Sequence, residues 1–365
     1  MQTPRSAARA AKLPNPDDST PSPDRTGSAM SALSVTMAAV AAAAGVSRAT
    51  VSRVFHGTTP VAQSTRDAVY AAAEKLGYVP NVMARVLAAR SSDILGLLLR
   101  GPTNPAYGLL FGELQENVSR LGMQMVAVAP SRAEGANFER QALNRLLGLR
   151  VGGMFVATGV IHAEMLEPFL DKVPVVIIGR PESHPRIYSV SYDEDSNATQ
   201  LADAVAAHGH QGVAVVTSSG GNSATEHRRA ITMAARLRAH GVRAHPVAAP
   251  TFGLIDEGAQ EIIALHRAGH ITAAMFPSDL RALAFMPYLR AASLRTPEDL
   301  SLTGCDGILP GIDLIGFATV RIPVEQAAQR AAEVMKTLLD GQTEIKHELL
   351  PGTFLPGRTL GPAPR

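Results

Sequence analysis

From Asp93 onward the chain alternates between short unbroken apolar runs and longer stretches whose apolar residues recur every three or four positions. Ile94-Leu95-Gly96-Leu97-Leu98-Leu99 is the first run, of the length expected for a strand buried on both faces. The same signal predicts strands near 123–128, 151–157, 174–178, 212–217, 272–276 and 300–304, and helices near 107–121, 135–149, 195–208, 224–240, 255–268, 279–292 and 324–340. Buried strands alternating with helices imply an α/β fold with doubly wound parallel sheets. About 270 residues of this pattern exceed one comfortable layer, so two similar lobes are expected.

Over residues 34–90 the period is helical. Thr36 is placed to cap a helix over 37–44, whose small residues let a second helix approach closely. Gly45 supplies the left-handed residue of a tight turn, Val46 plugs the interhelix core and Ser47 caps the next helix. On that helix Val51 and Val54 face inward, while Arg48, Ala49, Ser52 and Arg53 fall on or near the outer face. Helix, short turn and helix is the geometry that lays a recognition helix in the major groove of DNA. Taken alone, Gly45 to Arg53 fit an Ala-rich helical hairpin with a solvated basic face equally well. A third amphipathic helix follows over 61–77, with Val69, Ala72, Ala73 and Leu76 on one face and Gly77 as its stop. Tyr78-Val79-Pro80-Asn81 then leads into a short helical segment over 82–90.

In this setting the sequence resembles the lactose-repressor (LacI/GalR) family of bacterial transcription regulators. The resemblance rests on Ala43-Ala44-Gly45-Val46-Ser47, two variable residues, then Thr50-Val51-Ser52-Arg53. It rests also on Thr65-Arg66 opening the third helix and on Gly77-Tyr78, one residue, Pro80-Asn81. It implies that Arg48 and Ala49 set base preference, that Arg53 reads a base edge, and that Thr36, Ser47, Thr50, Ser52 and Asn81 hold phosphates. Tyr78 joins this DNA-facing set, and Leu87 matches a hinge-helix leucine that wedges into the minor groove and kinks the duplex. The chain departs from the family pattern at Ala39, usually acidic, and at His56, usually Asn.

Composition adds less than distribution does. The net charge of the 365 residues is only +2, yet residues 48–90 carry Arg48, Arg53, Arg66, Lys75, Arg85 and Arg90 against Asp67 and Glu74, so the basic excess sits on the proposed DNA module. A single cysteine, Cys305, excludes an internal disulfide and a Cys-rich metal site. No run of about 18 apolar residues suggests a membrane span, and a cytoplasmic location is expected. Residues 1–33 are rich in Pro, Ser, Ala, Asp and Arg without hydrophobic period; they read as a disordered tail, not a signal peptide, with Met30 a candidate start.

Ligands of doubly wound sheets bind beyond the carboxyl ends of the strands. The loops there offer Asn104-Pro105-Ala106-Tyr107, Ser131-Arg132, Gly179-Arg180, Ser278-Asp279 and Cys305-Asp306, with Arg229 in the helix after Ser218-Ser219-Gly220-Gly221. An Arg and an Asp across a cleft suit a polyhydroxylated ligand, since one donates and the other accepts hydrogen bonds from adjacent hydroxyls. The family resemblance implies a periplasmic-binding-protein-like core in which Tyr107, Arg132, Arg229, Ser278 and Asp306 contact a small-molecule effector, a sugar or sugar derivative by default. Ser278 stands where many members carry Asn and Gly179 where many carry Asp, leaving the effector's identity open. No catalytic set, phosphate-binding Gly-rich loop, metal site or cofactor is expected, and a nicotinamide-dependent enzyme is excluded by the missing fingerprint. A periplasmic-type binding protein would share the core but lack residues 34–90.

The chain thus divides into a tail (1–33), a helix-turn-helix domain (34–80), a hinge helix (81–92), a two-lobed effector-binding and dimerisation core (93–350) and a C-terminal tail (351–365). The expected partners are a double-stranded, near-palindromic DNA operator, a small-molecule effector and a second copy of the chain, with a tetramer left open, as is activation in place of repression. Leu87→Ala is expected to weaken specific operator binding strongly while leaving the core folded; an operator titration showing unchanged affinity removes the wedge role.

Overall fold

The computed structural model describes residues 35–56, 60–79, 92–101, 104–130, 137–159, 161–218, 223–249 and 255–364. Asn81, Leu87 and the rest of the hinge segment, Arg132, Ser219-Gly220-Gly221 and the N-terminal tail lie outside the described residues. Those that are described form two compact units, one within Met1–Val82 and one within Met83–Arg365.

The first unit contains α1 (Met37–Ala44), α2 (Arg48–His56) and α3 (Gln63–Leu76). Local signals set both bounds of α1, the start of α2 and the end of α3. Thr36 Oγ1 accepts the Ala39 N–H at 3.2 Å, and Ser47 Oγ accepts the Thr50 N–H at 3.0 Å. Helices α1 and α3 stop at Gly45 and Gly77, both left-handed with φ of 65° and 66°. A Cβ at either would meet open space, so it is the backbone angle and not crowding that asks for glycine. Val40, Val51, Val54 and Val69 close a small core, and the Phe55 ring packs against both Tyr70 and Tyr78.

The second unit carries a sheet of six parallel strands with β1 (Ile94–Leu99) and β2 (Gln124–Val128) at one side, then β3 (Gly153–Ala157), β4 (Val175–Ile178), β5 (Tyr188–Tyr192) and, at the far edge, β11 (His347–Leu350). Strand alternation sorts its apolar residues. Leu95, Leu97, Phe155, Val176 and Val190 meet α4 (Pro105–Arg120) and α12 (Val324–Leu339), whereas Leu98, Met154, Val156 and Ile177 meet α5 (Phe138–Gly148) and α6 (Ala163–Leu170). The second sheet runs β7 (Arg243–Ala248), β6 (Gly212–Thr217), β8 (Ala273–Met275) and β9 (Ser301–Thr303), again parallel. Helices α7 (Glu194–Ala207) and α8 (Ala224–Ala239) cover one face, and α9 (Asp256–Arg267) and α10 (Asp279–Ala291) the other. The short α11 (Ile312–Ile315) precedes β10 (Thr319–Arg321), which pairs antiparallel with β12 (Thr353–Leu355).

Each sheet is therefore the centre of its own lobe, and the chain crosses between them at Tyr192–Asp193, Ile322–Pro323 and Pro351–Gly352. The crossings are tied to one another. Asp193 N–H donates to Leu350 O at 2.9 Å, and the Asn197 side-chain oxygen accepts the Gly352 N–H at 2.8 Å. The sequence reading ended the core at residue 350, but the chain goes on to add β12 and to pack Thr359 on the second lobe, where its hydroxyl donates to Leu302 O at 2.8 Å. That segment has no long apolar run, because backbone pairing and single buried side chains hold it.

Phe276 and Phe285 pack at a tilt in the second lobe with ring centroids 5.3 Å apart, both fully buried. Phe285→Ala is expected to destabilise the core by about 3–5 kcal/mol, measured as a lowered denaturant midpoint.

Candidate functional site

Two surfaces carry the chemistry singled out in the sequence. On the head, α2 exposes Arg48, Ala49 and Arg53, with Ser52 half-buried beside the inward Val51 and Val54. Thr36 and Ser47 are exposed at the two helix N-termini, each already accepting a backbone N–H, and the Thr50 hydroxyl lies 2.9 Å from Ser47 Oγ. These hydroxyls are thereby oriented at helix starts, where the amide dipoles favour an anion. Tyr78 is half-buried, its ring centroid 5.6 Å from that of Phe55. The exposed guanidiniums of Arg48 and Arg53 provide donors matched to guanine edges and phosphates.

In the second unit a cavity of about 70 Å³ opens between the two sheets, beyond the carboxyl ends of their strands. The first lobe contributes Asn104 and Tyr107 after β1, Thr158 and Gly159 after β3, Gly179 after β4 and Tyr192 at the end of β5. The second contributes Glu194, Glu226, Arg229, Ser278 and Asp306. Tyr107, Arg229, Ser278 and Asp306 are thus brought to one cleft from positions far apart in the chain.

Arg229 is its polar centre and is only 3% exposed. Its Nη2 donates to Glu194 at 3.0 Å, while Nε donates to the other carboxylate oxygen. Its Nη1 donates to Asp306 at 2.7 Å and to Pro277 O at 2.9 Å. Four of the five guanidinium donors are therefore engaged. Asp306 sits at φ 119°, a region that costs a non-glycine residue about 1–3 kcal/mol. Two backbone bonds hold it there: its N–H donates to Val320 O and its carbonyl accepts the Ile322 N–H, both at 3.0 Å. Gly307 follows because a Cβ there would lie 2.4 Å from Arg321 Cα.

A second buried pair braces the first. Arg281, 0% exposed, donates from Nε to Glu226 at 3.0 Å, and Ser278 Oγ donates to the other Glu226 oxygen at 3.0 Å. Ser223 Oγ in turn accepts the Glu226 N–H at 3.3 Å, fixing the first turn of α8. Asn104, which lines the cavity, caps α4 by accepting the Ala106 N–H at 3.0 Å. Arg180, by contrast, is spent on its own surroundings, with Nη1 3.0 Å from Glu182 and Nη2 on Ile161 O.

Crowding of carboxyls in this dry site shows in their acidity. Burial pushes Asp306 up to about 7 against the opposing pull of Arg229, and pushes Asp279 up to about 6 although Thr319 and Gly307 both donate to it. Burial also raises the Tyr107 and Tyr192 phenols and holds the Cys305 thiol protonated. Among the described residues no group of His, Cys, Asp and Glu is arranged to hold a metal, and no helix is long and apolar enough to cross a membrane. The sequence reading missed Glu194, Glu226 and Arg281, whose partners lie 35 to 55 residues away.

Comparison with known proteins accords with both surfaces. A family model described as bacterial regulatory proteins, lacI family, matches residues 36–81, and one described as a periplasmic binding protein-like domain matches residues 202–360. The chain is 30% identical over 339 residues to the HTH-type transcriptional regulator AscG of Escherichia coli, covering 89% of this chain and 95% of AscG. Among solved structures, the Lac repressor dimer bound to operator and the anti-inducer ONPF matches with a TM-score of 0.77 at 23% identity, over 90% of this chain and 99% of that one, a likeness of fold. The complex of the transcriptional regulator CelR with cellobiose matches with a TM-score of 0.63 at 26% identity, over 89% and 99%.

The two perturbed carboxyls make stability depend on pH. Both bind protons more tightly in the folded core than in the unfolded chain, where Asp titrates near about 3.9. The stability they contribute is full below that value and is lost as pH rises through about 6 for Asp279 and about 7 for Asp306. Asp279→Asn keeps an acceptor for the Gly307 N–H, and the Thr319 hydroxyl, which donates to Asp279, turns to accept from the new amide. Its thermal midpoint relative to the parent is expected to rise between about pH 4 and 6; a difference that does not change with pH contradicts the burial of that carboxyl.

Proposed function

Because this chain belongs to the lacI family of bacterial regulatory proteins, we propose that it is a repressor that binds a near-palindromic operator as a dimer and is controlled by a small molecule held between the lobes of its core. It is a DNA-binding transcriptional regulator and not an enzyme. The observation that carries the effector reading is the buried Arg229–Asp306 pair lining a cavity between two sheets. A guanidinium donor and a carboxylate acceptor side by side match vicinal hydroxyls, and the cellobiose bound by CelR supports a sugar as the effector class.

The proposed mechanism follows from this placement. Two heads read two half-sites, since twofold protein symmetry imposes twofold DNA symmetry. Arg53 supplies a shared base contact, Arg48 and Ala49 write the operator preference, and Thr36, Ser47, Thr50, Ser52, Tyr78 and Asn81 address the backbone. Leu87, outside the described residues, is assigned to the minor groove at the centre of the operator. A ligand drawing Tyr107 and Asn104 of one lobe toward Arg229, Ser278 and Asp306 of the other changes how the lobes meet, and with that the spacing of the hinges. Arg132, which lies outside the described residues, is assigned to the same ligand. Such coupling is worth about 1–3 kcal/mol in either direction, so operator DNA alters effector affinity by the same factor.

Selection of bound DNA from random sequence, followed by a sugar screen for release, tests both halves. Arg229→Lys keeps the charge but loses the bidentate fork. It is expected to bind operator normally while needing about tenfold or more effector for release; a variant released at the parent's ligand concentration contradicts the assignment.

A further inference from the structure

The charges facing the cavity do not balance. Among the described residues Glu194, Glu226 and Asp306 line it against one cation, Arg229. Behind them Arg281 on Glu226 and Asp279 on the Gly307 amide cancel. The next cations outward are already answered, Arg180 by Glu182, Arg100 by Glu139 and Arg228 by Asp195. Three carboxyls against one guanidinium leave the site two positive charges short. Arg132 stands two residues from Glu134, so its loop does not close the gap. An unmatched carboxylate in a dry site is costly and is relieved by taking up a proton or a cation. Burial pushes Asp306 up to about 7 although Arg229 donates to it, so in the empty site the proton fills part of that need.

Two tyrosines face these carboxyls. Tyr192 is 6% exposed and lines the cavity, and its hydroxyl has no hydrogen-bond partner among the described residues. Tyr107, in the first turn of α4, lines the same cavity and its hydroxyl is equally unpartnered there. Tyr188, at the start of the same strand as Tyr192, is instead spent on Glu348. Burial raises the Tyr192 phenol, and Glu194, Tyr107 and Asp306 raise it further, which sets its oxygen within reach of their charge. A buried hydroxyl without a partner is a group left over for a ligand. Aromatic rings beside carboxylates are the surroundings that hold an ammonium, through the ring faces and through charge-assisted hydrogen bonds to the oxygens.

We propose that the effector is a hydroxylated amine, an amino sugar or an amino alcohol, whose ammonium lies among Asp306, Glu226 and the Tyr107 and Tyr192 hydroxyls while its own hydroxyls meet Asn104, Ser278 and Arg229. The proposal rests on the reading that this cleft is the effector site. A neutral polyol leaves the surplus carboxylates unmatched, and a sugar acid adds to the surplus. Where Asp306 holds its proton, that proton passes to the solvent as the ammonium arrives, so one positive charge replaces another.

Isothermal titration of the full chain at neutral pH with glucosamine and serinol, against glucose, glycerol, N-acetylglucosamine and glucuronate, tests it. At least one amine is expected to bind about tenfold or more tightly than every neutral or anionic compound. Tyr192→Phe gives up no hydrogen bond of the free protein, so it folds as the parent does, which thermal unfolding verifies. It is expected to weaken the bound amine by about tenfold. Asp306→Asn, which still accepts from Arg229, is expected to abolish the preference for the amine over its neutral counterpart. The inference is overturned if no amine binds, if a neutral or anionic compound binds as tightly as the amines, or if neither variant alters the preference. Neutral compounds that bind in preference and respond to Arg229→Lys keep the cleft as the effector site and sink the charged ligand alone. Binding of any of these compounds that ignores Arg229→Lys sinks the cleft as well.

Discussion

The guanidinium of Arg229 ties together the start of α7, the first turns of α8 and the loops leaving β8 and β9, four segments spread over more than a hundred residues. In a nearly dry site such a group must be fully answered, since removing one partner of a buried ion pair costs about 3–5 kcal/mol. The arrangement of the second lobe's strand ends is therefore set by the need to surround one cation with Glu194, Asp306 and a carbonyl. A ligand entering the cleft meets polar groups that are already aimed. Its hydroxyls take up the remaining donor and acceptor positions instead of reorganising the walls, which keeps the cost of ordering low.

How far the sequence could be read depended on whether a signal was local. The head was legible because each of its devices acts within four residues: the Thr36 and Ser47 caps, the left-handed Gly45 and Gly77, the inward Val51 and Val54. Strands buried on both faces, such as β1, β3 and β6, were legible as apolar runs. Strand β5 was not, for its sequence Tyr-Ser-Val-Ser-Tyr hides a fully buried segment whose serines are satisfied from β11, Ser189 by His347 at 3.1 Å and Ser191 by Glu348 O at 3.2 Å. Overlooking β5 concealed the strand end at Tyr192 and, with it, the role of Glu194. The edge strand β7 carries Arg, His and Pro, and α6 contains Pro168, so neither shows a clean period. Arg229, Ser278 and Asp306 were singled out by position after strands. The Glu226 and Arg281 side chains meet across 55 residues, so no local pattern marked that pair.

The head holds itself together by other means than the core. Its interior is built from small Val and Ala side chains, and units of this size bury too little surface for a wide margin of stability. The Phe55–Tyr70 and Phe55–Tyr78 ring contacts add apolar area where the helices diverge, at one end of α2 and the close of α3. The exposed face of α2 is thereby left free of any structural duty, and Arg48, Ala49 and Arg53 are open to change without loss of the fold.

The threefold crossing between the lobes has a consequence for the order of events during synthesis. The first lobe's sheet is five strands complete at Tyr192, yet the helix that covers much of one face, α12, and its edge strand, β11, are made only after the whole second sheet. At ordinary ribosomal speed that interval is on the order of ten seconds. Throughout it Phe155, Val176 and Val190 lack the cover that Ala327, Ala328 and Ala331 later provide. A nascent chain of this topology carries that apolar face half clothed throughout the interval, a transient exposure that favours misassociation until the covering helix is made.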